Sequence, residues 1–222
     1  MSTRPIYLYG SDVLHEKARP VKELNNDVVK LIVDLVDTMH KAGGIGLAAN
    51  QVGELHRVIV IDMGAVEEAL REETEADEEK REKSQREEKT LIVINPEILH
   101  QDGSWKMEEG CLSLPDIRAD VERAEKIRAR FRDGNFREVE IEAEGLLARV
   151  LLHELDHLNG VLFINHLSST QRALLKPRLR KMKKGDVETS YPVVVGSVPP
   201  RQTNAGLARQ ESPRRRPRGV EV

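Results

Sequence analysis

The feature that most limits how this chain can fold is an apolar stretch at residues 146–160, LLARVLLHELDHLNG, with charged groups set into it at helical spacing. It fits a buried helix opened by Gly145 and ending near Gly160. Within it, His153-Glu154-Leu155-Asp156-His157 reads H-E-x-x-H. Positions i and i+4 share one helix face, so both imidazoles can converge on one metal ion. Glu154 stands beside them, within reach of a metal-bound water, as in a metal-assisted hydrolase. Asp156 points sideways and is better placed to support the ligands than to join them.

A catalytic metal usually takes three protein ligands, so the third must come from elsewhere. The candidates are the carboxylates and Cys111, the one cysteine of the chain. A lone cysteine forms no intrachain disulfide and is an inert buried residue, a nucleophile or a ligand. Cys111 lies in a segment rich in turn residues, where a thiolate would complete a Cys-His-His set.

The 222 residues suffice for one sizeable domain with appendages. No apolar run approaches the ~18–20 residues needed to span a bilayer. The opening MSTRPIYLYG lacks the apolar core of a secretory signal. A cytoplasmic protein without a membrane partner is expected.

Residues 26–42 show helical periodicity, with Asn26 as N-cap and Gly43-Gly44 as terminator. Residues 57–63 and 91–94 read as strands, and Asn95-Pro96 as a turn. Between those strands, residues 67–89 hold 11 acidic and 6 basic residues and read as a charged surface insertion. Residues 125–131 and 137–143 form a hairpin about Asp133-Gly134-Asn135. Residues 168–184 are a basic helical candidate limited or kinked by Pro177. Residues 185–222 are rich in Pro, Gly, Arg and Ser and read as a disordered tail, in which residues 191–196 can add a short strand. The expected fold class is α+β, with antiparallel β-sheets around a central helix that carries HELDH. The catalytic domain then spans 1–184 and the tail 185–222.

Three blocks occur in order: GIGLAANQ at 44–51, EGCLS at 109–113 and HELDH at 153–157. The first lacks the glycine pattern and the Lys-Ser/Thr ending of nucleotide loops. Together the three resemble the signature motifs of peptide deformylases, over roughly residues 5–184. That resemblance implies metal-dependent removal of the formyl group from the N-terminal formylmethionine of newly synthesised polypeptides. It implies Cys111, His153 and His157 as metal ligands and Glu154 as general acid/base. Gln51 and the backbone N–H of Leu112 match the donors that polarise the formyl oxygen. Gly46 matches the loop glycine beside the substrate, and Ile45 and Arg118 the residues that hold the peptide backbone. Glu109 opens the second motif and is grouped with the substrate contacts. Met107, Leu146 and Val150 fall near the methionine pocket. Residue type alone would assign Ile45, Met107, Leu146 and Val150 to the core. Many members carry Gln where this chain has Leu152.

Thiolate and imidazole ligands suit iron, zinc, nickel or cobalt, and the resemblance implies ferrous iron. Partners would be N-formyl-methionyl nascent peptides. The ribosome is a further candidate, through Lys176, Arg178, Arg180, Lys181, Lys183 and Lys184. No sequence-specific nucleic-acid partner is expected. His15, His40, His56, His100 and His166 match no motif. Two rivals remain: an H-E-x-x-H peptidase, which leaves EGCLS without a role, and a binding protein with a structural metal, which leaves Glu154 idle.

Overall fold

A computed structural model of the chain describes residues 3–73 and 89–196. In chain order, β1 (Ile6–Tyr7) leads to α1 (Asn26–Ala42), β2 (Gly46–Ala48), a 3₁₀ turn (Ala49–Val52), β3 (Val58–Asp62) and α2 (Met63–Glu73). There follow β4 (Thr90–Asp102), β5 (Trp105–Cys111), β6 (Leu114–Arg123), β7 (Lys126–Arg132), β8 (Glu138–Glu144), α3 (Gly145–Leu158), α4 (Ser169–Lys183) and β9 (Val193–Val194). Strands β2-β3-β4-β7-β8 form one antiparallel sheet, β5-β6 a separate hairpin and β1-β9 a parallel pair.

The strand β3 explains the layering. Its side chains alternate between the two faces of the sheet. Ile59 and Ile61 pack with Val93, Phe131, Leu151 and Val150 on the α3 side. Val58 and Val60 pack with Leu31, Leu35 and Met39 of α1 on the other. A third core, of Leu8, Leu114, Ile117, Phe163 and Leu179, joins β6 to α4 and the chain's first residues.

Helix α1 begins at Asn26, one residue earlier than an Asn26 cap would place it. Asn25 caps it, its side chain accepting from the Val28 N–H at 3.0 Å. Gly43 ends it in the left-handed region at φ 69°. The expected turn at Asn95-Pro96 is instead a bulge inside β4. Asn95 has φ 54°, and its side chain exchanges two hydrogen bonds with the Val21 backbone. Pro115 lies within β6, after the Leu112-Ser113 turn. Pro177 lies within α4, which runs to Lys183.

The first part of the charged insertion is the end of α2, and residues 74–88 lie outside the described residues. The folded body runs past residue 184, and the short strand expected within residues 191–196 is β9. Residues 185–196 belong to the folded body, because β9 pairs with β1 and Val193–Val195 pack on the third core. Residues 197–222 lie outside the described residues.

Candidate active site

Helix α3 carries Leu146, Arg149, Val150, His153, Glu154 and His157 at three- and four-residue spacing, which puts them on neighbouring faces. All six are buried. The ligand atoms of Cys111, His153 and His157 lie within 4.8 Å of one another, and Cys111 Sγ is 3.1 Å from His157 Nε2. The Leu112-Ser113 turn between β5 and β6 presents the thiol to the helix.

Glu109 faces inward. It is 5% exposed, and its carboxylate accepts from His153 Nδ1 at 2.8 Å, Arg123 Nε at 2.6 Å, Arg123 Nη2 at 3.0 Å and Arg149 Nη1 at 2.9 Å. Both oxygens are occupied, so Glu109 fixes His153 with Nε2 left for a metal. Burial opposes its charge, but the hydrogen bonds from His153 and Arg123 override this and hold the carboxyl well below its usual range. Asp156 extends the network as a supporting group, accepting from Arg123 Nη1 and His166 Nε2, each at 2.7 Å.

The other ionisable groups are pushed apart. Burial disfavours a cation at His153, yet Cys111 and Glu109 raise its pKa to about 10. His157 is lowered well below its usual value, first by burial and then by His153 and Arg123. Burial raises Glu154 to about 7. Glu154 Oε2 and His157 Nδ1 are buried without a hydrogen-bond partner. A thiolate and two imidazoles, with one imidazole fixed by a carboxylate, are the donor set of a transition-metal site, so the residues present fit a divalent ion.

The loop before β3 closes the site. Gln51 is 1% exposed; its Oε1 accepts from Ala48 N–H at 2.8 Å and its Nε2 lies 3.6 Å from Cys111 Sγ. At Gly46 an added Cβ would lie 2.8 Å from Glu154 Oε1, so only glycine permits this approach. Val150 and Leu146 belong to the α3-side core, with Ile45 and Met107 packed against it. Arg118 stands apart on the exposed face of β6, opposite Gly110. Leu152, at the departure from the motif, is a core residue.

This geometry has counterparts. A model of the polypeptide deformylase family matches residues 3–173. The chain belongs to the polypeptide deformylase family. A peptide deformylase of Salinibacter ruber is 44% identical over 191 residues, spanning 86% of this chain and 93% of that protein. The peptide deformylase of Thermus thermophilus has a TM-score of 0.69 at 35% identity, covering 83% of this chain and 100% of its own. That of Ehrlichia chaffeensis, in complex with actinonin, has a TM-score of 0.68 at 32% identity, covering 85% and 100%.

Sequence patterns did not single out Arg123, Arg149, Ser113, Asn50 and Tyr191. Arg149 had a signal, being four residues before His153 in an otherwise apolar stretch. Asn50 Nδ2 donates to the His157 carbonyl, and Ser113 Oγ accepts from Gln51 Nε2 at 3.3 Å. The Tyr191 hydroxyl donates to the Leu112 carbonyl at 2.8 Å, with its pKa raised to about 12 by burial and by the charges of Cys111 and Asp116.

Proposed function

We propose that this chain hydrolyses the formyl group from N-formyl-methionyl polypeptides and releases formate, with Cys111, His153 and His157 holding the metal and Glu154 moving the proton. The carrying observation is that three ligand atoms meet beside a buried carboxylate with an unpartnered oxygen, in a chain of the polypeptide deformylase family. Bound there, the metal supplies Lewis acidity that makes water a nucleophile near neutral pH.

The chain's own groups do the rest. Glu154 takes the proton from water and returns it to the amine nitrogen as the formamide C–N bond breaks. The water oxygen leaves in formate. Gln51 Nε2 and the Leu112 amide stabilise negative charge on the former formyl oxygen, and losing one such donor costs about 2.7–4 kcal/mol. Ile45, Met107, Leu146 and Val150 supply apolar surface for the methionine side chain. Gly46, Ile45 and Arg118 hold the peptide backbone. Glu109 acts through His153.

The native ion in this reading is ferrous iron, with zinc, nickel or cobalt able to use the same donors. Iron predicts activity that falls on exposure to air as the Cys111 thiolate oxidises, whereas a zinc form would persist. The site of action is the cytoplasm, at the ribosome. Lys176, Arg178, Arg180, Lys181, Lys183 and Lys184 are all exposed, and α4 carries five of the six, so a phosphate backbone could engage them. Among the described residues no helix is long and apolar enough to cross a membrane.

The test is formate release from formyl-Met-Ala-Ser by anaerobically purified, metal-assayed protein. Release that disappears in Glu154→Ala, with metal retained, supports the reading. Cleavage of internal peptide bonds without formate would indicate a peptidase, and a metal-loaded protein inert to both would sink the hydrolase reading.

A further inference from the structure

We propose that Tyr191 is a positioning residue for this reaction: its hydroxyl fixes the Leu112 carbonyl, and with it the turn that carries the Cys111 ligand and the Leu112 amide. The role in turnover rests on the deformylase reading above. Tyr191 lies past residue 173, where the family match ends.

The turn is held at each of its residues. The Ser113 carbonyl accepts from the Tyr9 N–H at 2.9 Å, and Ser113 Oγ from Gln51 Nε2 at 3.3 Å. The Leu112 side chain packs so closely on Gly44 that an added Cβ would lie 2.8 Å from Leu112 Cδ1. Tyr191 takes the Leu112 carbonyl at 2.8 Å.

Tyr191 is itself fixed by its backbone. Its carbonyl accepts from Thr189 Oγ1 at 2.7 Å. The next residue, Pro192, accepts from the Ile6 N–H at 2.9 Å, and Val194 from the Leu8 N–H at 2.9 Å. The half-buried ring packs against the α1-side core. A phenol with its backbone anchored and its ring packed is a stiff strut with only two side-chain torsions. The residues around β1 therefore tie the C-terminal strand and the catalytic turn to one frame: Ile6 and Leu8 hold the strand, and Tyr9 holds Ser113. The Leu112 carbonyl shares its peptide plane with the Ser113 N–H, next to the Leu112 amide, so freeing it loosens the turn that sets that amide, and a 1 Å misplacement can cost about 10²-fold in rate.

Tyr191→Phe keeps the ring and deletes the hydroxyl. Metal content, kcat and KM would be measured beside the parent, with amide hydrogen exchange over residues 110–114 and over β1 and β9. The expected result is a kcat lower by about 3- to 30-fold with KM little changed and equal metal. Exchange should quicken at residues 110–114 and not in β1 or β9. An unchanged kcat with unchanged exchange overturns the proposal. So does faster exchange throughout the molecule, which would make Tyr191 a general structural prop. If the parent releases no formate, the deformylase reading fails by itself, and the exchange comparison still decides whether Tyr191 holds the turn.

Discussion

Glu154 can approach the ligands closely because Gly46 has no side chain. A Cβ at residue 46 would lie 2.8 Å from Glu154 Oε1 and 2.9 Å from Val150 Cγ1. Helix α3 is packed on both the sheet and the β2 loop, so the mobile partner is the Glu154 carboxylate itself. Gly46→Ala is therefore expected to lower kcat/KM by about 10- to 100-fold through a displaced proton carrier, with a melting temperature close to that of the parent. A fall in kcat/KM under twofold would show that the glycine serves only the backbone. Cys111 is the second test at this scale. Cys111→Ser exchanges a soft thiolate for a hydroxyl, and metal retained after dialysis should fall sharply while the described fold persists. Full metal retention in that variant would remove Cys111 from the ligand set.

Between elements, Glu109 joins the β5-β6 hairpin to α3. It brings together Arg123 at the end of β6 and Arg149 and His153 on the helix, with side chains 3–10% exposed. Removing one member of such a network leaves buried charge uncompensated, which costs about 3–5 kcal/mol. Glu109→Gln should lower the melting temperature and weaken metal binding by about 10- to 100-fold, because His153 loses its orienting carboxylate. Unchanged affinity in a metal titration would refute that role. How much of this could be read from sequence follows from the range of each interaction. The ligand pair on α3 is local, and helical periodicity alone gives it. Arg149 is equally local, four residues from His153. Glu109 meets His153 across 44 residues, and no local pattern reports such a pairing. Its place beside Cys111 in the EGCLS block suggests a substrate contact, whereas both its oxygens bond to His153, Arg123 and Arg149. The bulge at Asn95 is hidden from the sequence for a related reason. Asn-Pro is a turn signal, but tertiary bonds to Val21 keep the strand running through a left-handed residue.

At the scale of the whole molecule, the first described residues are fastened to the body by a charge cluster about Arg4, Asp34 and Glu54. Arg4 donates to Asp34 Oδ2 on α1 at 2.9 Å and to Glu54 Oε1, just past the Gln51 turn, at 2.6 Å. Lys30 adds a third contact, to Asp34 Oδ2 at 2.9 Å. Burial pushes the Asp34 carboxyl up, but hydrogen bonds from Lys30 and Arg4 outweigh it and hold the folded-state value below the ordinary 3.8. The sign follows from proton counting. Between the lowered folded value and the unfolded value, the unfolded chain binds more protons, so stability rises with pH there. The contribution is fully present above the unfolded value near 3.8 and is lost as pH falls through the folded one. Arg4→Met removes one of the two cationic partners of Asp34 and leaves Glu54 short of its cation. It should cost about 2–4 kcal/mol near neutral pH, read as a lower urea midpoint. The gap between variant and parent should narrow as pH falls below about 4, where Asp34, once protonated, no longer needs the guanidinium. Because β1 and β9 pair immediately beyond Arg4, loosening this anchor should also speed amide exchange in β9 ahead of α3. A gap that stays constant from pH 7 to pH 3 would mean that Arg4 stabilises the chain by packing rather than by charge.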